Sequence, residues 1–316
     1  MNYSMDNKIW RVGGPLFTYL GINFLVKLCF YIGLFYVQFK ELNVNAAFNG
    51  VLYAKQLNEN EKIYAVLISG LAALISIPIF IRLMKNDYEY PVNRRHKERT
   101  FDIGRYTRSF DKQMLPLLLF IGVFATLGLS RLILMIPLDG ILGNYSNVKE
   151  TYEAGNVWIQ LIMLGIVTPV AEELLFRGLV YKRLQIYYDV TVAGYISSII
   201  FGIVHFNLVQ GIYAFIMGIL FAYVYEKFNN IYASIIIHIS ANIAAIITSI
   251  NPIGLWIEEY VLVKFVLALI ETGVFIQLVV IMYKKLKKKE EAKSQEIQEL
   301  ENSEATQTPH KIDFQI

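Results

Sequence analysis

Long apolar runs separated by polar stretches recur along the whole 316-residue chain. A helix needs about 20 consecutive apolar residues to cross the hydrocarbon core of a bilayer. The pattern predicts eight such spans, with seven as the alternative, because the two runs near 190–225 are short and close together. The predicted spans lie at about 14–38, 63–84, 114–137, 157–181, 190–207, 209–225, 230–250 and 260–283. The predicted fold is therefore an all-α, polytopic membrane helix bundle.

Composition supports this reading and excludes some chemistry. Hydrophobic residues make up 55% of the chain and charged residues 17%, whereas a soluble domain carries about 25% charge. Cys29 is the only cysteine, which excludes disulfide frameworks and thiolate metal clusters. We expect a multi-pass integral membrane protein, in a bacterial cell membrane.

The distribution of charge predicts the topology. Lys and Arg concentrate at 85–112 and 284–289 and are sparser in the loops at 39–62 and 138–156. By the positive-inside rule, both termini and the 85–112 loop are predicted to be cytoplasmic. Basic segments this close to a membrane favour contact with anionic lipids over nucleic-acid binding.

Polar residues divide the chain into four parts. Residues 1–154 carry few polar groups at membrane depth and are interpreted as scaffold helices with the basic 85–112 loop. Residues 155–250 carry most of the hydrogen-bonding side chains, and 251–283 form the last span. The tail at 284–316 has too little apolar surface to fold alone, and we expect disorder or a short surface helix there.

Two glutamates and an arginine stand in the stretch TPVAEELLFRG at 168–178, inside an apolar run. Glu173 and Arg177 have the i,i+4 spacing and order that favour a helical ion pair. This pairing leaves Glu172, about 100° further around the helix, without a partner on its own helix. An unpaired carboxylate in such a site is a candidate general base. Pro169 predicts a kink that makes room for water; the alternative is a purely structural glutamate pair.

Two later spans add further polar side chains. Phe201 and His205 in FGIVHF, and His238 and Asn242 in HISAN, are both spaced i,i+4. Together with Glu172 they predict a polar cavity within the bundle. Counting along the predicted spans places His205 nearer the outer face than Glu172. The cavity therefore requires the 190–207 helix to start deeper, to tilt or to break.

Four other charged residues fall singly within predicted spans, and intramembrane charges are functional candidates by default. For these four a structural role is the favoured interpretation, through pairing with a neighbouring helix or through snorkelling. They are Lys27, Arg131, Lys264 and Glu271.

The three motifs EELLFR, FGIVH and HISAN, in this order on successive spans, resemble those of the CPBP intramembrane proteases, also called the CAAX protease or Abi family. The resemblance covers about 155–250. It implies that Glu172 activates a water for attack on a peptide carbonyl, with His205 helping to hold that water. His238 and Asn242 would donate hydrogen bonds to the oxyanion. The implied supporting residues are Glu173, Arg177 and Phe201.

Metal use is left open by the sequence. The family is often described as metalloproteases, and a set of Glu172, His205 and His238 would suit zinc. The usual HExxH signature is absent, and a metal-free glutamate mechanism is preferred, with no cofactor assigned.

Three functions remain in competition. An intramembrane endopeptidase acting on a membrane-associated peptide or protein is favoured. A bacteriocin-immunity type of protein that binds without cleavage is the main alternative. A solute transporter is disfavoured because no inverted repeat is present. Prenylated CAAX tails, leader peptides and other anchored peptides are all compatible as substrates.

Overall fold

The computed structural model describes residues 5–41, 50–89, 111–136 and 156–307, and these are almost entirely helical. Most of the predicted basic loop, 90–110, and the end of the tail, 308–316, lie outside the described residues. Nine α-helices make up the described part. They are α1 Met5–Glu41, α2 Gly50–Glu89, α3 Leu115–Leu134, α4 Val157–Leu184, α5 Val190–Ile203, α6 Leu208–Phe228, α7 Ile231–Ile250, α8 Pro252–Glu259 and α9 Val261–Gln307.

Seven of the described helices are long and apolar enough to cross a membrane. The chain is a multi-pass integral membrane protein, and the prediction of an all-α bundle is confirmed. The eighth predicted span, 190–207, is the 14-residue helix α5. At 1.5 Å per residue α5 is about 21 Å long, short of the bilayer core. The alternative prediction of seven spans therefore agrees with the number of long apolar helices among the described residues.

Asparagine and aspartate side chains define where several helices begin. Asp189 Oδ1 accepts from the backbone N–H groups of Thr191 and Val192, and Asn207 Oδ1 accepts from that of Gln210. The first N–H groups of a helix have no partner within it, so such caps stabilise its start. The same arrangement begins α4, α7 and α8, at Asn156, Asn230 and Asn251.

Helix α4 lies in the middle of the bundle, where α1, α2, α5, α6 and α7 all pack against it. Helix α3 packs between α7 and α9, while α5 and α6 form a tight helical hairpin. At that hairpin Gly202 and Gly211 face each other so closely that a Cβ on either would clash with the other's carbonyl oxygen. Small residues allow this close backbone approach in membrane bundles. The packing buries most of the EELLFR segment of α4 between its neighbouring helices.

Arg131 on α3 and Glu271 on α9 form an ion pair with each other, and both are buried. Both were interpreted from the sequence as structural charges that would meet partners on neighbouring helices. The pair joins α9 to α3, in a part of the molecule separate from the three sequence motifs EELLFR, FGIVH and HISAN.

Beyond the last span, α9 continues as a largely exposed helix to Gln307. The surface-helix alternative, rather than disorder, therefore describes the tail up to this residue. Lys287 and Glu291 pair at 3.7 Å along the helix, and Lys289 reaches Asp111 at 3.3 Å. Strong helix formers and i,i+4 pairs explain why these polar residues stay helical.

Candidate functional site

Helix α4 departs from regular α-helical winding on both sides of the two glutamates. Met163–Val167 and Leu174–Tyr181 form wider π-helical turns around the α-helical segment Thr168–Glu173. The amide of Thr168 bonds to the carbonyl of Met163, five residues earlier. Turns of this kind are frequent at functional sites. Pro169 lies in the α-helical segment between the two π-helical turns, and the kink predicted there stays a prediction.

Pro169 explains one cross-helix contact. In the π pattern the N–H of residue 169 would bond to the carbonyl of Leu164, but proline has no N–H. The side-chain amide of Asn242 on α7 donates to this carbonyl oxygen instead, at 2.9 Å. Asn242 thereby supplies a partner for a backbone group that α4 leaves unbonded, and it ties α7 to α4.

The predicted ion pair between Glu173 and Arg177 is present. Arg177 Nη1 donates to Glu173 Oε1 at 2.8 Å, and both side chains are fully buried. Arg177 Nη2 also donates to the carbonyl of Gly218 on α6 at 2.9 Å. The guanidinium carbon lies 4.9 Å and 5.0 Å from the ring centroids of Phe201 and Phe221. Ion pairing, a hydrogen bond and cation–π contacts together hold this buried charge.

His238 on α7 stands between the two glutamates. Its Nδ1 lies 3.0 Å from Glu173 Oε1, and its Nε2 lies 3.5 Å from Glu172 Oε2. The imidazole stacks on the ring of Phe221, with centroids 4.5 Å apart, and is buried. Glu172 therefore has its partner on another helix, in agreement with the prediction that none exists on its own.

The two glutamates differ in how accessible they are. The side chain of Glu173 is fully buried, whereas that of Glu172 is 14% exposed. Because Glu173 already accepts from Arg177 and contacts His238, its charge is compensated. Glu172 is thus the partly exposed acid of the two.

His205 lies just beyond the end of α5, in the turn to α6. Its Nδ1 is 2.7 Å from the carbonyl oxygen of Phe201. A carbonyl oxygen only accepts, so Nδ1 carries the hydrogen and Nε2 of the neutral ring is an acceptor. The next residue, Phe206, has a left-handed backbone with φ of 51°, an uncommon conformation for a large side chain. The early end of α5 provides the break that the predicted cavity required.

Phe201 links the two histidines. Its ring centroid lies 5.0 Å from that of His205 and 5.8 Å from that of His238, edge to face in both cases. The structure thus brings Glu172, Glu173 and His238 into one cluster, and it connects His205 to that cluster through the Phe201 ring. Asn242 sits one helical turn beyond His238.

Among the described residues no three His, Cys, Asp or Glu side chains are grouped closely enough to hold a metal ion. Glu172 and His238 are adjacent, but His205 does not join them in such a group. The three-ligand set considered for zinc does not fit this arrangement, and no chemical step below is assigned to a metal.

Two contributors to the site carry no sequence motif. Phe221 stacks on His238 and contacts Arg177, while the carbonyl of Gly218 accepts from Arg177. Both lie on α6, which looks like an ordinary apolar span in the sequence. A Cβ on Gly218 would press against Ser198 of α5, so the glycine also permits the α5–α6 contact. Only the packing of α6 against α4 and α7 identifies these residues.

Comparisons with known proteins agree with the location of this site. Residues 154–244 match the family model described as type II CAAX prenyl endopeptidase Rce1-like. The chain is 33% identical over 101 residues, 32% of its length, to a Bacillus subtilis (strain 168) protein named "Putative membrane peptidase YdiL". It is 35% identical over 85 residues, 27% of its length, to "UPF0177 protein YxdF" of Lactococcus lactis subsp. lactis (strain IL1403).

These matches cover 41% and 46% of the two relatives, so the chain spans less than half the length of each. No solved structure matches the chain. The family match contains all the motif residues at 172–242, and the helices that flank it lie outside the matched segment.

Proposed function

We propose that this chain, a member of the CPBP family of intramembrane proteases through residues 154–244, is an endopeptidase that uses Glu172 as its general base. One observation carries the proposal. Glu172 is the partly exposed acid of a buried cluster, and its Oε2 lies 3.5 Å from Nε2 of His238. The other acid of the cluster is already neutralised by Arg177.

The charges of the cluster support this role. Glu173 and Arg177 cancel each other, which leaves Glu172 as a surplus negative charge where charges are costly. If His238 is neutral, its Nδ1 donates to Glu173 and its Nε2 is an acceptor. Nε2 and the Glu172 carboxylate then face each other as two acceptors, so a proton taken up by Glu172 is stabilised by sharing with His238. A base of this kind accepts a proton without creating an unpaired buried charge.

The proposed reaction is peptide hydrolysis in two steps. In the first, a water gives a proton to Glu172 while its oxygen bonds to the peptide carbonyl carbon, and the carbonyl electron pair moves to the oxygen. In the second, that pair returns, the carbon–nitrogen bond breaks, and the proton on Glu172 goes to the leaving nitrogen. Water and peptide become a carboxylic acid and an amine, with no other reactant.

The remaining motif residues have proposed roles in this scheme. His205 offers its Nε2 as an acceptor for the water, because Nδ1 is engaged with Phe201. His238 and Asn242 are the proposed donors to the oxyanion, and His238 donates through Nε2 once that atom holds the proton shared with Glu172. One N–H of Asn242 bonds to Leu164, and the second N–H of the same amide group is the one assigned to this task.

The substrate proposed is a peptide or protein held at the membrane, because the cluster lies inside the bundle on helices that span the bilayer. Anionic lipids at the cytoplasmic face are the proposed lipid partners. The positive-inside rule favours that side for the basic residues at 284–289, which follow the last apolar run.

Replacing Glu172 with Gln tests the proposal. Removing a general base is expected to lower cleavage by about 10²–10⁴-fold, because the amide keeps the shape of the side chain but cannot take the water's proton. The measurement is mass spectrometry of membrane peptides from cells with wild type or Glu172→Gln, followed by cleavage of an identified peptide in vesicles.

Glu226→Gln is the matched control. Glu226 lies near the C-terminal end of α6, and its carboxylate accepts from the Tyr181 hydroxyl. The amide oxygen of glutamine preserves this hydrogen bond. We expect this variant to cleave within about twofold of wild type, as surface changes away from the site do. Full activity of a correctly inserted Glu172→Gln protein would eliminate Glu172 as the base.

Treatment with phenanthroline tests the zinc alternative separately. Because the three candidate ligands are not grouped, we expect cleavage to be unchanged and elemental analysis of the active protein to find less than one zinc per chain. Loss of cleavage that is restored by added zinc would assign the water activation to a metal instead.

A further inference from the structure

Helices α4 and α7 run antiparallel past each other and meet at two levels. Leu164 of α4 accepts from Asn242 at one level, and Glu172 faces His238 at the other. Leu164 and Glu172 are eight residues apart, about two turns, and Thr168 lies midway between them. The order of the contacts therefore places Thr168 opposite the interval between His238 and Asn242, the two proposed oxyanion donors.

The hydroxyl of Thr168 is in an unusual state. Its Oγ1 is buried and has no hydrogen-bond partner among the described residues. A threonine within a helix normally bonds back to the carbonyl four residues earlier, which here belongs to Leu164. That carbonyl accepts from Asn242 instead. A buried hydroxyl without a partner costs about 1–3 kcal/mol, so a polar group that remains in this state calls for an explanation.

The spacing of residues along α4 supplies an explanation for the Thr168 hydroxyl. Thr168 and Glu172 both lie in the regular α-helical segment Thr168–Glu173, where residues four apart share a face with their Cβ atoms about 5–6 Å apart. A water that bonds to both side chains needs two oxygen–oxygen distances of about 2.7–2.8 Å. This general spacing allows a threonine hydroxyl and a glutamate carboxylate one turn apart on a helix face to share one bridging water.

We propose that Thr168 is a further catalytic residue, whose hydroxyl group holds the water that Glu172 activates. This inference rests on the proposed hydrolase function. The water donates one hydrogen to the Glu172 carboxylate and the other to His205 Nε2, and one of its lone pairs accepts from the Thr168 hydroxyl. The second lone pair is then free to attack the peptide carbonyl carbon. During attack only the proton facing Glu172 is transferred, and the hydrogen bond to Thr168 stays in place. Thr168 orients the nucleophile and does not itself change protonation.

Two substitutions at this position test the inference in the full-length protein. Thr168→Val keeps the shape but removes the hydroxyl, and we expect kcat to fall about 10- to 100-fold with KM within about twofold. Thr168→Ser keeps the hydroxyl and should retain kcat within about threefold. The assay is cleavage of a lipid-anchored fluorogenic peptide in vesicles of phosphatidylcholine and phosphatidylglycerol.

A high-resolution structure of the wild type provides a readout that does not depend on turnover. An ordered water within hydrogen-bond distance of both Thr168 Oγ1 and Glu172, lost in Thr168→Val, would support the inference. Wild-type kcat in the valine variant, equal losses in both variants, or no water at this position would overturn it. Failure of the hydrolase proposal looks different, because Glu172→Gln would then cleave as well as wild type.

Discussion

Two clusters of opposite charge are buried between the membrane-spanning helices, and they are built differently. On α3 and α9, one arginine meets one glutamate, Arg131 with Glu271. On α4, Arg177 meets Glu173, and the adjacent Glu172 and His238 of α7 join them. The first cluster has equal numbers of opposite charges, whereas the second has one acid more than it needs for neutrality.

This difference separates a structural contact from a chemical one. A balanced ion pair between two helices has no surplus charge, which is typical of a structural contact that joins them. In the cluster on α4, the pair of Glu173 and Arg177 likewise joins two helices, because Arg177 also donates to the Gly218 carbonyl of α6. In the proposed mechanism, the surplus acid Glu172 is the group that accepts the proton. Charge balance, rather than the presence of charge, distinguishes the two sites.

Removing Arg177 from the second cluster should have the larger effect on stability and cleavage. Arg177→Met leaves Glu173 buried without its cation, which for an unpaired buried charge costs about 3–5 kcal/mol of stability. It also removes the side-chain donor to the Gly218 carbonyl and the cation beside the Phe201 and Phe221 rings. We expect a lower unfolding midpoint in a denaturant titration of the detergent-solubilised protein, together with loss of cleavage.

Arg177→Lys is the matched control for charge. The ammonium group retains one positive charge but lacks the planar fork that reaches Glu173 and Gly218 at the same time. We expect a stability between those of wild type and Arg177→Met. A lysine variant as stable as wild type would show that charge alone holds the cluster, contrary to the geometry described above.

The sequence predicted the local parts of the site well, because their geometry depends only on helical spacing. Glu173 and Arg177 are four residues apart on one helix, so their pairing follows from the α-helical repeat. The prediction that Glu172 lacks a partner on that helix follows from the same repeat. The bundle of long apolar helices was likewise predictable, since bilayer thickness fixes the length of a span.

The parts that depend on packing between helices were not predictable. Nothing in the sequence of α6 indicates that Phe221 stacks on His238, or that Asn242 would bond to the Leu164 carbonyl. The hydrophobic pattern showed that the run near 190–207 is short, but it did not show that α5 ends at Ile203, because apolar Val204 and Phe206 still follow in the turn. Runs of apolar residues show that a segment is buried or faces lipid, but they do not show where its helix ends.

Removing the balanced pair altogether should have the smaller effect, and this sharpens the comparison. Replacing a buried ion pair with apolar residues of similar volume is often neutral or stabilising, whereas removing one partner costs about 3–5 kcal/mol. We therefore expect Arg131→Met alone to lower the unfolding midpoint, and Arg131→Met with Glu271→Met to restore it to near that of wild type. Because the pair lies outside the proposed catalytic cluster, cleavage by the double variant should stay within about twofold of wild type.

The corresponding double change in the other cluster, Glu173→Met with Arg177→Met, should not be rescued in this way. It removes both charges but leaves His238 Nδ1 without its Glu173 partner and removes the Arg177 donor to the Gly218 carbonyl, so cleavage should remain lost. Equal recovery of stability and cleavage in both double variants would show that the two clusters are equivalent structural contacts. In that case charge balance would no longer separate the reactive site from the structural one.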